Sequence, residues 1–429
     1  MTPIQTPQTS KKEVWSLNQW LTYLEQVHPN DIELGLDRVA LVYKKLGLDL
    51  SQRTIVTVAG TNGKGTTCAL IEQALLMANC SVAVFSSPHL LDYRERVRVS
   101  GAMLSENAHC QAFLKIEQAR GDIALTYFEF GTLAALQLMA ESNVQYLLLE
   151  VGLGGRLDAV NIVDPTIAVI TGIDLDHQDW LGATKEQIAI EKAGIFRANI
   201  PAIIGDPQPP VTLVSAAFEN RVNSFWQGQD FQYKVDHKGF HWQGRNSRYD
   251  NLPNPQIPVQ NASTALQVIE ILGLQLDSSQ MMQTFKRTSL PGRRQVVQSK
   301  PTVILDVAHN PQATNLLAID IKNKQPQKVI AVVAMLADKD IEATLAPMLP
   351  IVSNWYCASL DVPRGAPAST LVSAVLSNEQ KVLDYHSVEA AYISALESAE
   401  EDDVLVVFGS FFTVAKILEM RSLTSKIKV

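Results

Sequence analysis

Residues 56–67 read Val-Thr-Val-Ala-Gly-Thr-Asn-Gly-Lys-Gly-Thr-Thr, and that order constrains the fold more than any other stretch of the chain. A valine-rich run calls for a buried strand, and glycines let the following backbone turn its N–H groups inward. A helix opening at Thr66 then adds the positive end of its dipole. Thr61, Asn62, Gly63, Lys64, Gly65 and Thr66 therefore form a candidate phosphate cradle, with Lys64 able to reach terminal phosphates as a point charge. The spacing departs from GxxxxGK[ST], because Gly65 separates Lys64 from Thr66. A glycine-rich turn without a ligand is the alternative; strand, loop, lysine and helix in this order weigh against it.

Around this loop, short apolar runs alternate with longer helical ones. Strands are expected at 54–59, 82–86, 145–150 and 166–173, with helices at 66–77, 107–120 and 127–142. Such alternation implies a mostly parallel sheet covered on both faces. After Gly205 the texture changes: Pro207, Pro209 and Pro210, alternating aromatics over 225–249, then Pro253, Pro255 and Pro258 predict a small antiparallel excursion. A helix over 261–272 follows, with Asn261 as its expected N-cap. Leu290-Pro291-Gly292 punctuates the chain, and a second alternating set places strands at 302–306, 328–334, 354–358 and 404–408. The fold class is α/β, with a domain boundary near residue 297 separating 1–296 from 297–429.

Composition narrows the function classes. A chain of 429 residues has room for two or three domains, and 46% hydrophobic content suffices for substantial cores. A net charge of −8 argues against a nucleic-acid surface. Cys68, Cys80, Cys110 and Cys357 form no CxxC pair, which fits a reducing compartment. The polar start, MTPIQTPQTSKK, has no apolar signal core, and apolar runs such as 144–151 fall well short of the ~20 residues of a membrane helix. The expectation is a cytoplasmic protein without membrane or nucleic-acid partners.

In open parallel sheets ligands sit at the carboxyl ends of strands. That edge collects the phosphate loop, Ser86-Ser87-Pro88-His89, Glu150 with its following Val-Gly-Leu-Gly-Gly-Arg, and Asp174-Leu175-Asp176-His177. Hard oxygen donors suit Mg²⁺, so Glu150 is the first choice as ligand, with Ser87 as a hydroxyl partner. His177 reads equally as a ligand or as a hydrogen-bonding neighbour. Lys192, late in a helix ending near Gly194, reads from its position alone as a lysine compensating the helix dipole. Arg94, Arg96 and Arg98 alternate, giving either a cationic strip or a solvated strand face. Phe128 and Phe130 are open between stacking on a ring and core packing, and Arg156 between an anion contact and an ion pair with Asp158.

The segments GTNGKGTTC, SSPHLLDYRERVRVSG, TYFEFGTLAAL, LEVGLGGRLDAVNIV, LDHQDWLG, EKAGIFR, LPGRRQVV, LDVAHNPQA, MLADKD and GSFFTVAKI occur in this order along nearly the whole chain. Together they resemble the bacterial dihydrofolate synthase/folylpolyglutamate synthase family of the Mur ligase superfamily. The resemblance implies a P-loop-type ATPase domain followed by a smaller Rossmann-like domain, with the active site in the cleft between them. It implies ligation of L-glutamate to 7,8-dihydropteroate and to reduced folates, within folate biosynthesis and one-carbon metabolism, with ATP and Mg²⁺ as cofactors and a monomeric protein. Carried over by position, it makes Thr61–Thr66 the ATP cradle, with Lys64, Glu150, His177 and Lys192 as catalytic residues. Ser87, Glu150 and His177 become metal ligands, joined by Lys192 as a carbamylated lysine. Asn261, Arg293 and Asp306 become nucleotide contacts. Thr126, Tyr127, Phe128, Glu129 and Asp158, with His28, fall to the dihydropteroate pocket, and His309 and Ser410 to the incoming glutamate. Two departures stand out: Gln178 where the family has a small hydroxyl residue, and Arg294 where it has an aromatic. The rival readings are a ligase acting on UDP-linked sugar peptides and a nucleotide-dependent switch. The TYFEFGTLAAL and HPNDIELGLDRV segments disfavour the first; Lys64, Glu150, His177 and Lys192 together disfavour the second.

Overall fold

The computed structural model describes residues 12–28, 32–376 and 381–427, with side chains up to residue 423. The polar stretch 1–11 and residues 29–31 of the HPNDIELGLDRV segment lie outside the described residues. The chain divides into two compact units, Met1–Pro255 with Val259–Thr288, and Gln256–Pro258 with Ser289–Val429. Residue 297 lies inside the Gln295–Ser299 strand, whose antiparallel ladder with Thr302–Leu305 ties it to the second unit. The division accordingly falls earlier, just beyond the Ser278–Arg287 helix.

The first unit is built on β1 (Thr54–Ala59), β2 (Val82–Phe85), β3 (Val97–Val99), β4 (Ala102–Met103), β5 (Tyr146–Glu150), β6 (Ile167–Ile170), β7 (Pro201–Ile204) and β8 (Asn223–Trp226). Their order among the described residues is β4-β3-β2-β5-β1-β6-β7-β8. The ladders from β2 to β8 are parallel, and β3 and β4 add an antiparallel edge. Val56, Val58 and Ala59 of β1 are fully buried, as a strand covered on both faces requires. β1 pairs with β5 on one side, Val58 opposite Glu150, and with β6 on the other, Ala59 opposite Ile170. The phosphate loop thus leaves the sheet between the ends of two neighbours. The Lys64–Met77 helix that follows is buried from Thr66 through Leu75 except at Gln73.

The strand expected at 166–173 is shorter. It ends at Ile170, although Thr171 N still donates to Ala59 O at 2.9 Å; the Thr171 hydroxyl donates to Asn62 O at 2.6 Å, so its side chain braces the loop. The aromatic excursion also divides: Phe225 lies in β8, and the antiparallel part is β9 (Gln232–Asp236), β10 (Gly239–Gln243) and β11 (Arg248–Leu252). The three arginines do not form an extended strip. Tyr93–Arg96 is a 3₁₀ turn, Arg94 pairs with Asp92, Arg98 pairs with Glu72 at 2.7 Å, and Arg96 is buried.

The second unit holds β12 (Gln295–Ser299), β13 (Thr302–Leu305), β14 (Val329–Val333), β15 (Asn354–Ala358), β16 (Lys381–Tyr385) and β17 (Val404–Phe408), in the order β12-β13-β17-β14-β15-β16. All its ladders are parallel except β12–β13. β12 and β16 were not anticipated; both are half-exposed edge strands without a continuous apolar run. Among the described residues no helix is long and apolar enough to cross a membrane.

Candidate active site

The phosphate loop is held open by its surroundings. Gly60 and Gly63 have φ of 149° and 90°, and a Cβ on Gly63 would lie 2.5 Å from the Asn261 side chain. Thr61 Oγ1 accepts from Asp174 N and donates to Asp174 O, each at 2.9 Å, joining the loop to the segment after β6. Lys64 Nζ folds back to donate to Gly60 O at 3.0 Å and Thr61 O at 3.2 Å. Thr66 Oγ1 accepts from Asn261 Nδ2 at 2.9 Å. Asn261 is therefore no N-cap: it lies inside the Val259–Ile271 helix and faces the loop. Glycines where a Cβ cannot fit, beside a lysine and the N-terminal end of a 14-residue helix, suit a triphosphate.

Beside the loop, Ser87 N donates to Glu150 Oε2 at 3.2 Å, so the end of β5 and the turn after β2 are in contact. His177, in the left-handed region at φ 51°, shares a cavity with Ser87. Lys192 is 4% exposed, and burial, then the nearby Lys64 charge, pushes its ammonium down to about 7. Its helix end is pressed on the glycine loop: Arg156 N donates to Glu191 O at 2.7 Å, and a Cβ on Gly155 would meet that same carbonyl at 2.7 Å. Arg156 pairs with Glu191 at 2.8 Å, not with Asp158.

The donor set has the chemistry of a magnesium site. Glu150 and Ser87 offer hard oxygens, and among the described residues no group of three or more His, Cys, Asp and Glu side chains could cage a metal alone. Magnesium bound here would complete its shell with phosphate oxygens and water, as it usually does.

A cavity of about 230 Å³ opens beside these groups, lined among others by Thr126, Phe128, Glu129, Asp158 and His177. Thr126 and Glu129 form a capping box that starts the Tyr127–Glu141 helix at the cavity wall. Glu129 is bound by Arg38, whose Nε donates at 3.0 Å; Arg38 also pairs with Glu33. His28 reaches Glu33 at 3.4 Å and so supports the pocket through that residue. Asp158 is 2% exposed, and burial raises its carboxyl to about 6 although Leu153 N and Val160 N donate to it at 2.8 and 3.0 Å. Tyr127 packs behind the wall with its ring toward Arg96, whereas Phe128 faces the cavity and Phe130 is core. Ile32, Glu33, Leu34, Leu157 and Arg96 also line the cavity. In the sequence Arg96 is open as part of a cationic strip; only their place in the HPNDIELGLDRV and LEVGLGGRLDAVNIV segments could have pointed to the other four.

In the second unit, Asp306 follows β13 and Ser410 follows the adjacent β17. Asp306 is buried and accepts from Arg294 N and Ala308 N, each at 2.8 Å; burial raises its carboxyl. Arg293 lies 4.7 Å from the Phe411 ring, and His309 is 6.2 Å from the same ring, so these groups share one strand-end cluster. His309 Nδ1 lies 2.8 Å from Val307 O, and Ser410 Oγ accepts from Thr413 N at 3.0 Å. Of the two departures, Gln178 opens a short helix, and Arg294 pairs with Asp320.

A phosphate loop on a central parallel strand, flanked by oxygen donors and an acid-lined cavity, defines an ATP-dependent enzyme of the Mur ligase class. Comparison agrees: residues 58–205 match the Mur ligase middle domain, and residues 292–411 the Mur ligase glutamate ligase domain. Dihydrofolate synthase/folylpolyglutamate synthase of Escherichia coli (strain K12) is 45% identical over 417 residues, 97% of each chain. Its Haemophilus influenzae counterpart is 42% identical over 422 residues, covering 93% of this chain and 96% of the other. Among solved structures, E. coli FolC in complex with DHPP and ADP superposes with a TM-score of 0.93 at 45% identity, covering 98% of this chain and 100% of that one. The Yersinia pestis bifunctional enzyme complexed with AMPPNP and Mn ion gives 0.91 at 47% identity, covering 97% and 100%. The chain belongs to the dihydrofolate synthase/folylpolyglutamate synthase family. It is an ATP-dependent ligase that works with a divalent metal.

Proposed function

We propose that this chain ligates L-glutamate to 7,8-dihydropteroate, and to reduced folates, through an acyl phosphate formed at the carboxyl edge of the first sheet. The observation that carries this reading is the placement of the phosphate loop, Glu150 and Lys192 beside one cavity that holds the buried acid Asp158. Amide formation from a free carboxylate is slow because the oxygen leaves poorly, and phosphorylation converts it to a good leaving group. An acceptor carboxylate oxygen attacks the γ-phosphorus of ATP, and ADP departs. The glutamate amine then attacks the acyl carbon, loses a proton, and phosphate leaves with one former carboxylate oxygen.

Each residue has a part. Thr61 to Thr66 hold the phosphates, and Lys64, released from the loop carbonyls it now touches, follows the charge that develops on the transferred group. Ser87, Glu150 and His177 are assigned to magnesium, with Lys192, as a carbamate, to a second ion. The metal supplies Lewis-acid neutralisation of phosphate charge. Thr126, Phe128, Glu129 and Asp158 orient the pterin: carboxylates accept from its ring N–H groups while Phe128 offers an aromatic face. Tyr127 and His28 hold that wall from behind. Asn261, Arg293 and Asp306 are assigned to the nucleotide, and His309 and Ser410 to the incoming glutamate. A monomer in the cytoplasm, with magnesium as the ion and without membrane or nucleic-acid partners, completes the reading; the net charge of −8 supports the last point.

Glutamate-dependent ADP release with dihydropteroate tests it. Lys64→Ala should lower kcat about 10²- to 10³-fold, the usual cost of one charge-stabilising donor. AMP as the nucleotide product, or a parent rate in that variant, would contradict the scheme.

A further inference from the structure

We propose that Arg96 binds the α-carboxylate of a folate acceptor, a group that dihydropteroate lacks, and so sets the balance between the two acceptors. This rests on the function proposed above and assigns a residue that reading leaves unused.

Among the residues lining the cavity, Glu33, Glu129 and Asp158 are acids, and Arg96 is the arginine. The neighbouring arginines are committed to carboxylates: Arg38 to Glu33 and Glu129, Arg94 to Asp92, Arg98 to Glu72. Arg96 is 8% exposed and makes no ion pair among the described residues. Its Nε donates to His89 Nδ1 at 2.9 Å, and its guanidinium lies 5.4 Å from the Tyr93 ring and 5.5 Å from the Tyr127 ring. Three flanking groups therefore fix the guanidinium plane without neutralising it. A buried cation in that state is costly, and a carboxylate taken bidentately by its two terminal nitrogens relieves the cost.

Position selects which carboxylate. Arg96 O accepts from Ser86 N at 2.9 Å, so Arg96 stands beside the Ser86–Ser87 turn, where the reacting carboxyl must approach Glu150. In a folate the reacting γ-carboxyl is separated from the α-carboxylate by a short methylene chain. In dihydropteroate the reacting carboxyl is on the aromatic ring, and there is no second one.

The test is the ratio of kcat/KM for tetrahydrofolate to that for dihydropteroate, which does not depend on the folded fraction of a preparation. Arg96→Met should lower the ratio about 10- to 100-fold, the worth of charge-assisted hydrogen bonds at about 1.5–3 kcal/mol. Arg96→Lys should recover part of it. Tetrahydropteroyl-γ-aminobutyrate, which keeps the reacting carboxyl but lacks the α-carboxylate, should be a poorer substrate than tetrahydrofolate for the parent and an equal one for Arg96→Met. An unchanged ratio, or equal losses with both acceptors, overturns the proposal in favour of a pterin contact or a packing role. Should Arg96→Met fail to fold, His89→Phe, which removes the orienting acceptor, must lower the ratio in the same direction; an unchanged ratio there also overturns it. A parent enzyme releasing no ADP with either acceptor would instead strike the reading of function beneath it.

Discussion

Lys192 shows how burial alters what a side chain can do. Its ammonium, ordinarily near 10.5, is pushed to about 7 by desolvation and by Lys64. The folded state thus binds fewer protons than the unfolded chain between about 7 and 10.5, and the contribution of this group to stability rises with pH across that window. Below about 7 the penalty for the buried ammonium is fully present. A neutral amine can also add to CO₂, losing a proton and gaining an acidic oxygen donor. Lys192→Arg, which keeps a charge but cannot form a carbamate, should lose about 10²- to 10³-fold in kcat. In the parent, activity should fall in CO₂-depleted buffer and return with bicarbonate, and intact mass should show the added CO₂. Full activity in the arginine variant would remove Lys192 from the metal site.

Among elements, the strand–loop–helix at 54–77 is the most sharply specified. Gly63 occupies a left-handed conformation, and its α-carbon faces Asn261 at a distance that leaves no room for a methyl group. Gly63→Ala should cost about 1–2 kcal/mol of stability from backbone strain alone. By displacing Asn261 it should also weaken nucleotide binding at least about tenfold, against unchanged binding if the loop holds no phosphate; calorimetric ATP titration reads this directly. This element was legible because β-branched residues, glycines and lysine each carry a local meaning. Asn261 was misread as a cap because a cap and an inward-facing amide have the same sequence signature; only the crossing of two helices distinguishes them. Arg94, Arg96 and Arg98 were misread for a related reason. A 3₁₀ turn at Tyr93–Arg96 breaks the period-2 alternation that an extended strand would impose. The edge strands β12 and β16 escaped because half-exposed strands carry no continuous apolar run.

For the whole molecule, the two parallel sheets place their chemistry-bearing residues at the carboxyl ends of their strands, as open α/β sheets do. The first unit gathers Lys64, Ser87, Glu150, His177 and Lys192; the second gathers Arg293, Asp306, His309 and Ser410. The carboxyl-edge rule brought Lys64, Ser87, Glu150 and His177 to one edge from the sequence, with His177 open between ligand and neighbour, whereas a metal role for Lys192 and the roles in the second unit came only through the family resemblance. A strand-end serine or histidine has many uses, and Ser410 visibly serves one of them by capping the start of the last helix. What unites the assignments is a transfer of phosphate to the acceptor's own carboxyl group. Oxygen labelling tests this most directly. With ¹⁸O in the dihydropteroate carboxylate, one labelled oxygen per turnover should emerge in inorganic phosphate, with the other retained in the amide. Label appearing in AMP, or absent from phosphate, would contradict the acyl-phosphate account.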